Sequence, residues 1–346
     1  MLRPAAARSE PIIAADGMDV FDADAIDWAR LEQLRDAFLA RDRAGGRYWR
    51  SISDVELYDV TFARRIAWKW RAVIDELSAR GFTPPRGALL DWGAGSGVAS
   101  RTWLAAFGTG QVEKLALHDC SNLALDFAAQ RAERELSPLL VERSAASVSG
   151  AFELVLVSHV LNELERAALD DLVALLDRAQ CFVWVEPGAR EESRALSEIR
   201  ARLIERFDPI APCTHRAACG VLAGGRERDW CHFFAEPPPE VFTERAWALF
   251  GRRLGIDLRS LPYAFLAMRR RGSAREDTGF ERLLARPRVE KGLMKISSCG
   301  AAGVRDLVFR RRVDGERFRE LQRDPARLAR WRVEGNAIVG VDELAR

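Results

Sequence analysis

Residues 88–100 constrain the fold of this chain more than any other stretch. An apolar run leads into a loop with glycine at every second position, Gly93, Gly95 and Gly97, and a helical pattern begins at Ala99. Glycine is needed where the backbone turns sharply and where a ligand approaches with no Cβ in the way. The pattern predicts a buried strand, a tight turn and a helix whose free N–H groups face the loop.

Two classes of ligand use such a turn. Dinucleotide-binding folds have G-x-G-x-x-G with a pyrophosphate at the helix end, but here the third position is Val98 and the glycine falls one residue early. The pattern Asp91-x-Gly93-x-Gly95-x-Gly97 instead resembles the first motif of class I S-adenosylmethionine (SAM) methyltransferases. In that family the loop wraps the methionine part of SAM. A glycine-rich turn with no ligand is the alternative.

The composition is that of a soluble globular protein. The 346 residues carry a net charge of +2, and no apolar run is long enough to span a membrane. Residues 1–13 lack the long apolar core of a secretory signal, so we expect none. Residues 268–332 hold 19 Lys or Arg against 9 Asp or Glu, an excess of +10. Such a block suits a polyanion partner, and a solvated arginine-rich surface is the alternative.

Apolar runs alternate with helical patterns through the middle of the chain, which indicates a parallel sheet covered on both faces. Strands are predicted at 87–91, 114–119, 152–158, 181–186 and 262–271. Helices are predicted at 99–107, at 123–136, up to about residue 176, and at 189–207. The fold class is therefore α/β, with a doubly wound, Rossmann-like sheet within residues 86–271.

Two further regions flank this domain. Residues 1–85 are predicted as a helical N-terminal region, with helices at 24–42 and 53–80. Residues 272–346 are predicted as a basic, β-rich C-terminal region. It has strands at 289–297, 304–312 and 337–341 and a helix at 316–330.

Polar residues follow the predicted strands at the ends where ligands bind in such sheets. They are Asp119, Ser158, His159 and Glu186, and Gly93 falls at the same kind of strand end. Asp119 is spaced like the acid that binds ribose hydroxyls in nucleotide folds, although it could also cap the next helix. The predicted cofactor-binding residues are Asp91, Gly93, Gly95, Gly97, Asp119 and Ser158. His159 or Glu163 could act as a base near the methyl group, or could only orient the loop.

Three cysteines, Cys213, Cys219 and Cys231, lie in a loop-rich stretch at 209–236. They are separated by five and eleven residues, so no zinc-finger spacing fits. Cys299 is the leading fourth metal ligand, and His215 and His232 are the alternatives. Four thiolates suit zinc or an iron–sulfur cluster equally well on chemistry alone. The two other cysteines are predicted to be inert core residues, Cys120 and Cys181.

These segments together resemble the methyltransferase-like family of mitochondrial small-ribosomal-subunit assembly proteins and their bacterial relatives. The matching segments lie within about residues 50–312, and the most specific are Val185-Glu-Pro-Gly188, Pro212-Cys-Thr-His215 and Asp229-Trp-Cys-His-Phe233. The resemblance implies a class I methyltransferase fold, SAM binding and a [4Fe–4S] cluster on Cys213, Cys219, Cys231 and Cys299. Thr214 and Gly220 depart from the prolines usual in the family, but neither change removes a thiolate.

The resemblance also implies association with small-subunit ribosomal RNA, in rRNA methylation or in subunit assembly. The chain lacks the Asn/Asp-Pro-Pro-aromatic motif of amino-group methyltransferases and a Pro-Cys pair after the strand at 152–158. The alternatives are a non-catalytic RNA-binding scaffold with a structural metal site and, more distantly, an NAD-linked oxidoreductase. We expect a monomer without membrane contact, located in the bacterial cytoplasm or, in a eukaryote, in the mitochondrial matrix.

Overall fold

The computed structural model describes residues 21–39, 48–146, 148, 150–272, 279–323, 330–335 and 337–342. The parts of the sequence predictions that concern residues 1–20, 40–42, 324–329 and 343–346 lie outside these ranges. Among the described helices, none combines the length and the apolar character that crossing a membrane requires.

The N-terminal region is helical, with α1 (Trp28–Leu39), α2 (Ile52–Asp59) and α3 (Phe62–Ala79). The prediction of a single helix at 53–80 is wrong, because residues 60–61 interrupt it and separate α2 from α3. The backbone of Thr61 is not helical, with φ −123° and ψ −86°, and its hydroxyl donates to the carbonyl of Leu57 at 2.6 Å. A side chain that bonds back to the preceding turn competes with helix continuation.

The central sheet confirms the α/β prediction. Five strands are parallel, in the order β3 (Leu140–Ser144), β2 (Val112–His118), β1 (Gly87–Trp92), β4 (Leu154–Ser158) and β5 (Cys181–Pro187). Three more complete it, namely β8 (Leu261–Arg270), which runs antiparallel between β5 and β6 (Phe207–Ala211), and β7 (Phe233–Ala235), which pairs with β8. The strand order reverses direction between β1 and β4, which places a ligand crevice at that point.

Helices cover both faces of this sheet. Connecting helices α4 (Val98–Phe107) and α5 (Asn122–Leu136) share one core with α3 and with α9 (Arg245–Leu254), which follows the short α8 (Glu240–Thr243). Helices α6 (Arg166–Leu176) and α7 (Arg190–Leu203) enclose the core on the other face. The strands are buried from both sides, as their near-continuous apolar sequences require.

A second, five-stranded antiparallel sheet forms the C-terminal region. Its order is β11 (Gly303–Arg310), β10 (Leu293–Gly300), β9 (Glu281–Glu290), β12 (Arg330–Glu334) and β13 (Ala337–Asp342), with α10 (Gly315–Arg323) packed on it. The strand predicted at 289–297 is wrong, because a hairpin turn interrupts it. Lys291 and Gly292 have φ +45° and +82°, the pair of positive angles that a two-residue hairpin turn demands.

Candidate functional site

The glycine loop joins β1 to α4, and its three glycines all have left-handed backbone conformations. The φ angles are +71° at Gly93, +53° at Gly95 and +76° at Gly97. A Cβ at Gly93 would lie 2.6 Å from Cγ1 of Val160, and one at Gly97 would lie 3.2 Å from the Cβ of Ala128. A Cβ at Gly95 would meet no atom within 4 Å. Two of the glycines therefore serve packing as well as the turn, whereas Gly95 faces open space from which a ligand can approach the backbone.

Asp119 directly follows β2, and its carboxylate is fixed against the glycine loop. Oδ2 accepts a hydrogen bond from the N–H of Gly95 at 2.8 Å, and Oδ1 accepts one from the N–H of Ser121 at 2.9 Å. Burial raises the pKa of Asp119, and the two backbone donors oppose that rise. Each oxygen keeps a further lone pair, so the carboxylate can still accept from the two hydroxyls of a ribose.

Asp91 lies within β1, fully buried behind the glycine loop. Its Oδ2 accepts from the N–H of Ser100 at 3.1 Å, which ties the strand to the first turn of α4. Its Oδ1 is buried and has no hydrogen-bond partner in the described part of the chain. Burial raises the pKa of Asp91 to about 6. One oxygen of Asp91 thus holds the loop in place, and the other remains a buried acceptor.

Ser158 and His159 end β4 beside the glycine loop. Ser158 Oγ accepts from Nε1 of Trp70 at 2.9 Å and lies 3.2 Å from Nδ1 of His159. His159 has a positive φ of +56°, and its N–H donates to the carbonyl of Val185 at 2.9 Å. Such a backbone in a non-glycine residue is strained, and the surrounding bonds hold it. These contacts fix the imidazole at the point where the strand order reverses.

Lys69 of α3 contacts this imidazole, and the sequence reasoning missed it. Its Nζ lies 3.2 Å from Nε2 of His159, and the side chain is almost completely buried. Burial, with help from Arg65, lowers the pKa of Lys69 to about 7, while Glu186 opposes that shift. Burial and then Lys69 lower the pKa of His159 well below its ordinary value, so the ring is neutral at physiological pH. Only the packing of a helical face brings α3 to β4, and no local motif signals it.

Glu163 lies in the loop after β4 and is paired with a tyrosine of the N-terminal region. The hydroxyl of Tyr48 lies 3.3 Å and 3.4 Å from the two carboxylate oxygens of Glu163. Burial, and next the charge of Asp119, raise the pKa of Glu163 to about 7. Burial and Glu163 raise the pKa of Tyr48 in turn. Glu163 and Asp119 therefore interact electrostatically on the same side of the sheet.

The four cysteines predicted as metal ligands line one cavity of about 40 Å³. Cys213 follows β6, Cys219 precedes a short 3₁₀ turn, and Cys231 precedes β7. Cys299 comes from β10 of the second sheet. Burial raises the pKa of Cys299 to about 12, and the neighbouring thiols of Cys213 and Cys219 add to that rise. The structure thus brings together side chains that are far apart in sequence.

The two candidate histidines have different positions. His215 lines the same cavity, and its Nε2 lies 4.0 Å from Sγ of Cys299. His232 instead stacks on Trp230, with ring centroids 4.7 Å apart. In the part of the chain that the structure describes, no group of three or more His, Cys, Asp or Glu converges tightly enough to hold a single metal ion. The cysteines surround a space and do not point to one atom.

Buried arginines hold the segments that carry these cysteines. Arg200 of α7 donates to the carbonyls of His215 at 2.8 Å and Ala217 at 3.0 Å. Arg80, next to α3, donates to the carbonyls of Ile210 at 2.9 Å and Pro212 at 3.1 Å. Carbonyl acceptors at these distances fix a loop that lacks regular secondary structure. The cavity is therefore anchored to both faces of the central sheet.

A buried acid links the same arginine to the second sheet. Glu76 of α3 is paired with Arg80 and with Arg282 of β9, the latter at 2.6 Å. Arg282 is the cross-strand partner of Cys299, and its guanidinium lies over the ring of Phe233 at 4.2 Å. The pairing satisfies charges that would be costly to bury alone. It joins helix α3, the cysteine segment and the second sheet.

The two remaining cysteines differ from each other. Cys181 is buried at the start of β5, as predicted. Cys120 is exposed, so its assignment to the core is wrong. It follows the last residue of β2 by two positions, where the chain leaves the sheet before α5. A position beside a strand is therefore not enough to bury a cysteine.

The strand order, with the reversed strand β8 inserted between β5 and the edge strand β6 and a glycine loop at the end of β1, defines a class I methyltransferase fold. The chain belongs to the Rsm22 family, because the family model described as Rsm22, mitochondrial small ribosomal subunit Rsm22, matches residues 63–332. This confirms the family resemblance seen in the sequence motifs. No curated protein matches the chain.

Solved structures similar to this chain include two methyltransferases. The magnesium protoporphyrin IX methyltransferase of Synechocystis PCC 6803, with bound SAM, has a TM-score of 0.39 and 13% identity over 71% of this chain and 99% of its own. The N-methyltransferase NodS of Bradyrhizobium japonicum, with S-adenosylhomocysteine, has a TM-score of 0.38 and 15% identity over 69% of this chain and 100% of its own. The strand order, and not these low scores, defines the fold.

Proposed function

We propose that this protein binds SAM at the glycine loop, carries a [4Fe–4S] cluster on four cysteines and acts on the small ribosomal subunit. The observation that carries the SAM site is the bond between Asp119 and the N–H of Gly95. It sets a ribose acceptor beside the one loop glycine that faces open space, where the strand order reverses. When bound, SAM would supply a methyl group on its sulfonium.

Calorimetry on the full chain tests the SAM site. SAM and S-adenosylhomocysteine should each bind at one site per protein, and NAD should not bind. Binding of NAD with no binding of either SAM ligand would instead support the dinucleotide reading of the glycine loop. The absence of binding by all three would support a fold used only as a scaffold.

The cysteine cavity supports a cluster through the thiols that line it. Cys213, Cys219, Cys231 and Cys299 line one cavity, and a cluster of this kind is held by cysteine thiolates. Their donor set of four thiols is the usual one for a [4Fe–4S] cluster. The residues present therefore fit the group that the family resemblance implies, and the cluster would join the two sheets.

Anaerobic purification followed by iron, sulfide and zinc analysis tests this part of the proposal. We expect about four irons per chain and a brown protein. Colourless protein with one zinc per chain would contradict the cluster and indicate a structural zinc site instead. Replacing the exposed Cys120 by serine provides a control that should leave the metal content unchanged.

A basic face of the second sheet supports contact with RNA. Arg288 of β9 and Lys295 of β10 are exposed cross-strand partners, and neither forms an ion pair within the described ranges. Next to them the guanidinium of Arg286 lies 3.9 Å from the ring centre of Phe234, and His232 stacks on Trp230. Cations with stacked rings suit a single strand of RNA, whose phosphates and bases they can hold together.

The family description names the mitochondrial small ribosomal subunit, so small-subunit rRNA is the proposed partner. The proposed place of action is where these subunits assemble, the bacterial cytoplasm or the mitochondrial matrix. Crosslinking of the protein to RNA in cells, followed by sequencing, tests this. Enrichment of small-subunit rRNA over large-subunit rRNA is expected, and equal recovery of both would contradict it.

One observation favours a non-catalytic assembly factor over an rRNA methyltransferase. Both ring nitrogens of His159 are in contact with side chains of the protein, Ser158 and Lys69, and the carboxylate of Glu163 is bonded to Tyr48. The two candidate bases are thus already occupied. Methylation of small-subunit rRNA by the purified protein, abolished by His159→Ala or Glu163→Gln, would favour the enzyme.

A further inference from the structure

Two cations, Arg65 and Lys69, lie one turn apart on the same face of α3. Lys69 is 7% exposed, and its Nζ contacts the neutral ring of His159 at 3.2 Å. Nε of Arg65 is buried with no hydrogen-bond partner among the residues that the structure describes. Within the described ranges neither side chain is paired with a carboxylate. Buried cations are rare unless they are paired.

One acid, Glu186 at the end of β5, acts electrostatically on Lys69. Its Oε1 accepts from Nε1 of Trp184 at 2.6 Å and from the N–H groups of Val160 at 3.0 Å and Leu161 at 3.2 Å, and its buried Oε2 has no hydrogen-bond partner within the described ranges. Burial brings the pKa of Glu186 up to about 7 and that of Lys69 down to about 7, so each is only partly charged at neutral pH. With Arg65 beside Lys69, the two basic side chains therefore form a position whose positive charge Glu186 matches only in part.

The position of this pair follows from the sheet. Trp92 of β1 lies beside Val157 of β4, so the glycine loop and His159 are neighbours, and Lys69 lies on the β4 side of the loop. Asp119 lies on the β2 side and is bonded to Gly95. A molecule whose ribose is bound by Asp119 and which crosses the loop at Gly95 extends towards Lys69. In SAM, the part opposite the nucleoside is an amino acid with a free carboxylate.

We propose that Lys69 and Arg65 bind the carboxylate of the methionine part of SAM and of S-adenosylhomocysteine. The proposal rests on the SAM site proposed above. An ammonium and a guanidinium together match a carboxylate in charge and in hydrogen-bond donors. The near-complete burial of Lys69 favours a small carboxylate over an RNA phosphate, because a nucleic acid backbone needs an open approach. Trp70, the next residue of α3, holds Ser158 and so fixes the helix against β4.

The test compares two ligands that differ only in this amino-acid part. S-adenosylhomocysteine carries the carboxylate, whereas 5′-methylthioadenosine has the same nucleoside and thioether without it. Calorimetry on the full chain at pH 7 should show S-adenosylhomocysteine binding at least about thirty-fold more tightly. Arg65→Met and Lys69→Met should each weaken S-adenosylhomocysteine about tenfold or more and leave methylthioadenosine within about twofold. Arg71→Met, on the opposite side of the same helix, is the matched control and should change neither.

Charge-preserving variants keep the test decisive if a methionine variant folds poorly. Arg65→Lys and Lys69→Arg should retain most of the preference for S-adenosylhomocysteine, and a circular-dichroism melt verifies that each variant is folded. Equal affinity of the wild type for both ligands would overturn the carboxylate site while leaving the nucleoside site intact. Loss of RNA affinity alone in the methionine variants would assign the pair to a phosphate and overturn the proposal. Failure of the wild type to bind either ligand would overturn the SAM site and this proposal together.

Discussion

The glycine-loop site and the cysteine cavity are built in opposite ways. The nucleoside-binding part of the first uses residues 91–119, which are close in sequence, and hydrogen bonds to the loop backbone fix it, such as that from the N–H of Gly95 to Asp119. The second collects thiols from residues 213–299 and from two different sheets. Burial raises the pKa of the Cys213, Cys231 and Cys299 thiols, so these three are neutral until a metal binds and displaces their protons. The first site should therefore be rigid without a ligand, whereas the second should depend on its metal.

The largest expected effect is at the cysteine cavity. Cys231→Ser should abolish iron binding and lower the free energy of unfolding by more than ~3 kcal/mol, because metal ligation there contributes folding energy. Metal analysis and chemical denaturation measure both effects. Cys120→Ser is the exposed control and should behave like the wild type. Unchanged stability of Cys231→Ser would remove the contrast between the two sites.

The glycine-loop site should lose affinity without losing its fold. Asp119→Asn removes the charge that would accept from ribose hydroxyls, so the affinity for S-adenosylhomocysteine should fall about 10- to 100-fold, since bonds to charged groups contribute ~1.5–3 kcal/mol. Calorimetry measures this loss. Asp126→Asn is the control, because Asp126 pairs with Arg143 on the exposed surface of α5. Equal losses in the two variants would contradict a specific role for Asp119.

The basic face should be separable from both sites. Replacing Arg288 and Lys295 by glutamate removes two cations from one face of the second sheet. RNA affinity should fall about tenfold. The slope of the logarithm of the binding constant against the logarithm of the salt concentration should become less negative by about two, because two phosphate contacts are lost. Filter binding at several salt concentrations measures both. Arg86→Glu, at an exposed residue just before β1, is the control. A similar loss of RNA affinity in this variant would mean that the net charge of the protein, and not the basic face, determines binding.

The smallest effect concerns the pH dependence of stability. Lys69 has a pKa of about 7 in the folded protein, below its value in the unfolded chain. The unfolded state binds more protons above pH 7, so Lys69 makes stability rise with pH, by at most ~1.4 kcal/mol per pH unit. The titratable groups that act on Lys69 or contact it are Arg65, Glu186 and the neutral ring of His159.

The measurement compares the wild type with Lys69→Met between pH 7 and 8.5, by denaturant titration. The carboxyl of Glu186, whose folded pKa is raised to about 7, acts in the opposite direction. Its effect on the slope of stability against pH becomes smaller as the pH rises through this window. The free energy of unfolding of the wild type should rise relative to that of the variant. A constant difference between the two would mean that Lys69 does not titrate in this range.

The glycine-loop site was predictable because its information is local. The apolar run before Gly93, the alternating glycines and the acid at Asp119 each follow from a strand that ends at the same edge of the sheet. Lys69 and Tyr48 were not predictable in the same way. They reach the site from the N-terminal region through tertiary packing. In the sequence, no motif distinguishes Lys69 from the other residues of its helix or Tyr48 from the other residues of its loop.

The shortest strands were missed for a different reason. β3, β6 and β7 have three to five residues each, too few for alternation to be read with certainty. β6 ends just before Cys213 and β7 begins just after Cys231, so the geometry of the cysteine cavity could not be derived, although its four thiols could be named. Their convergence depends on β8 and β10, which lie far along the chain.

Gly220 packs directly on the second sheet. A Cβ at Gly220 would lie 2.7 Å from the backbone nitrogen of Val304, so a side chain there would push the β10–β11 hairpin away from the cysteine segment. The two backbones are in direct contact at this point, with no room for a side chain between them. The second sheet is therefore not a portable module, and a fragment that stops after β8 would leave the cysteine segment without its partner surface. Truncations and fusions of this protein should therefore keep the segment around Gly220 and the second sheet together.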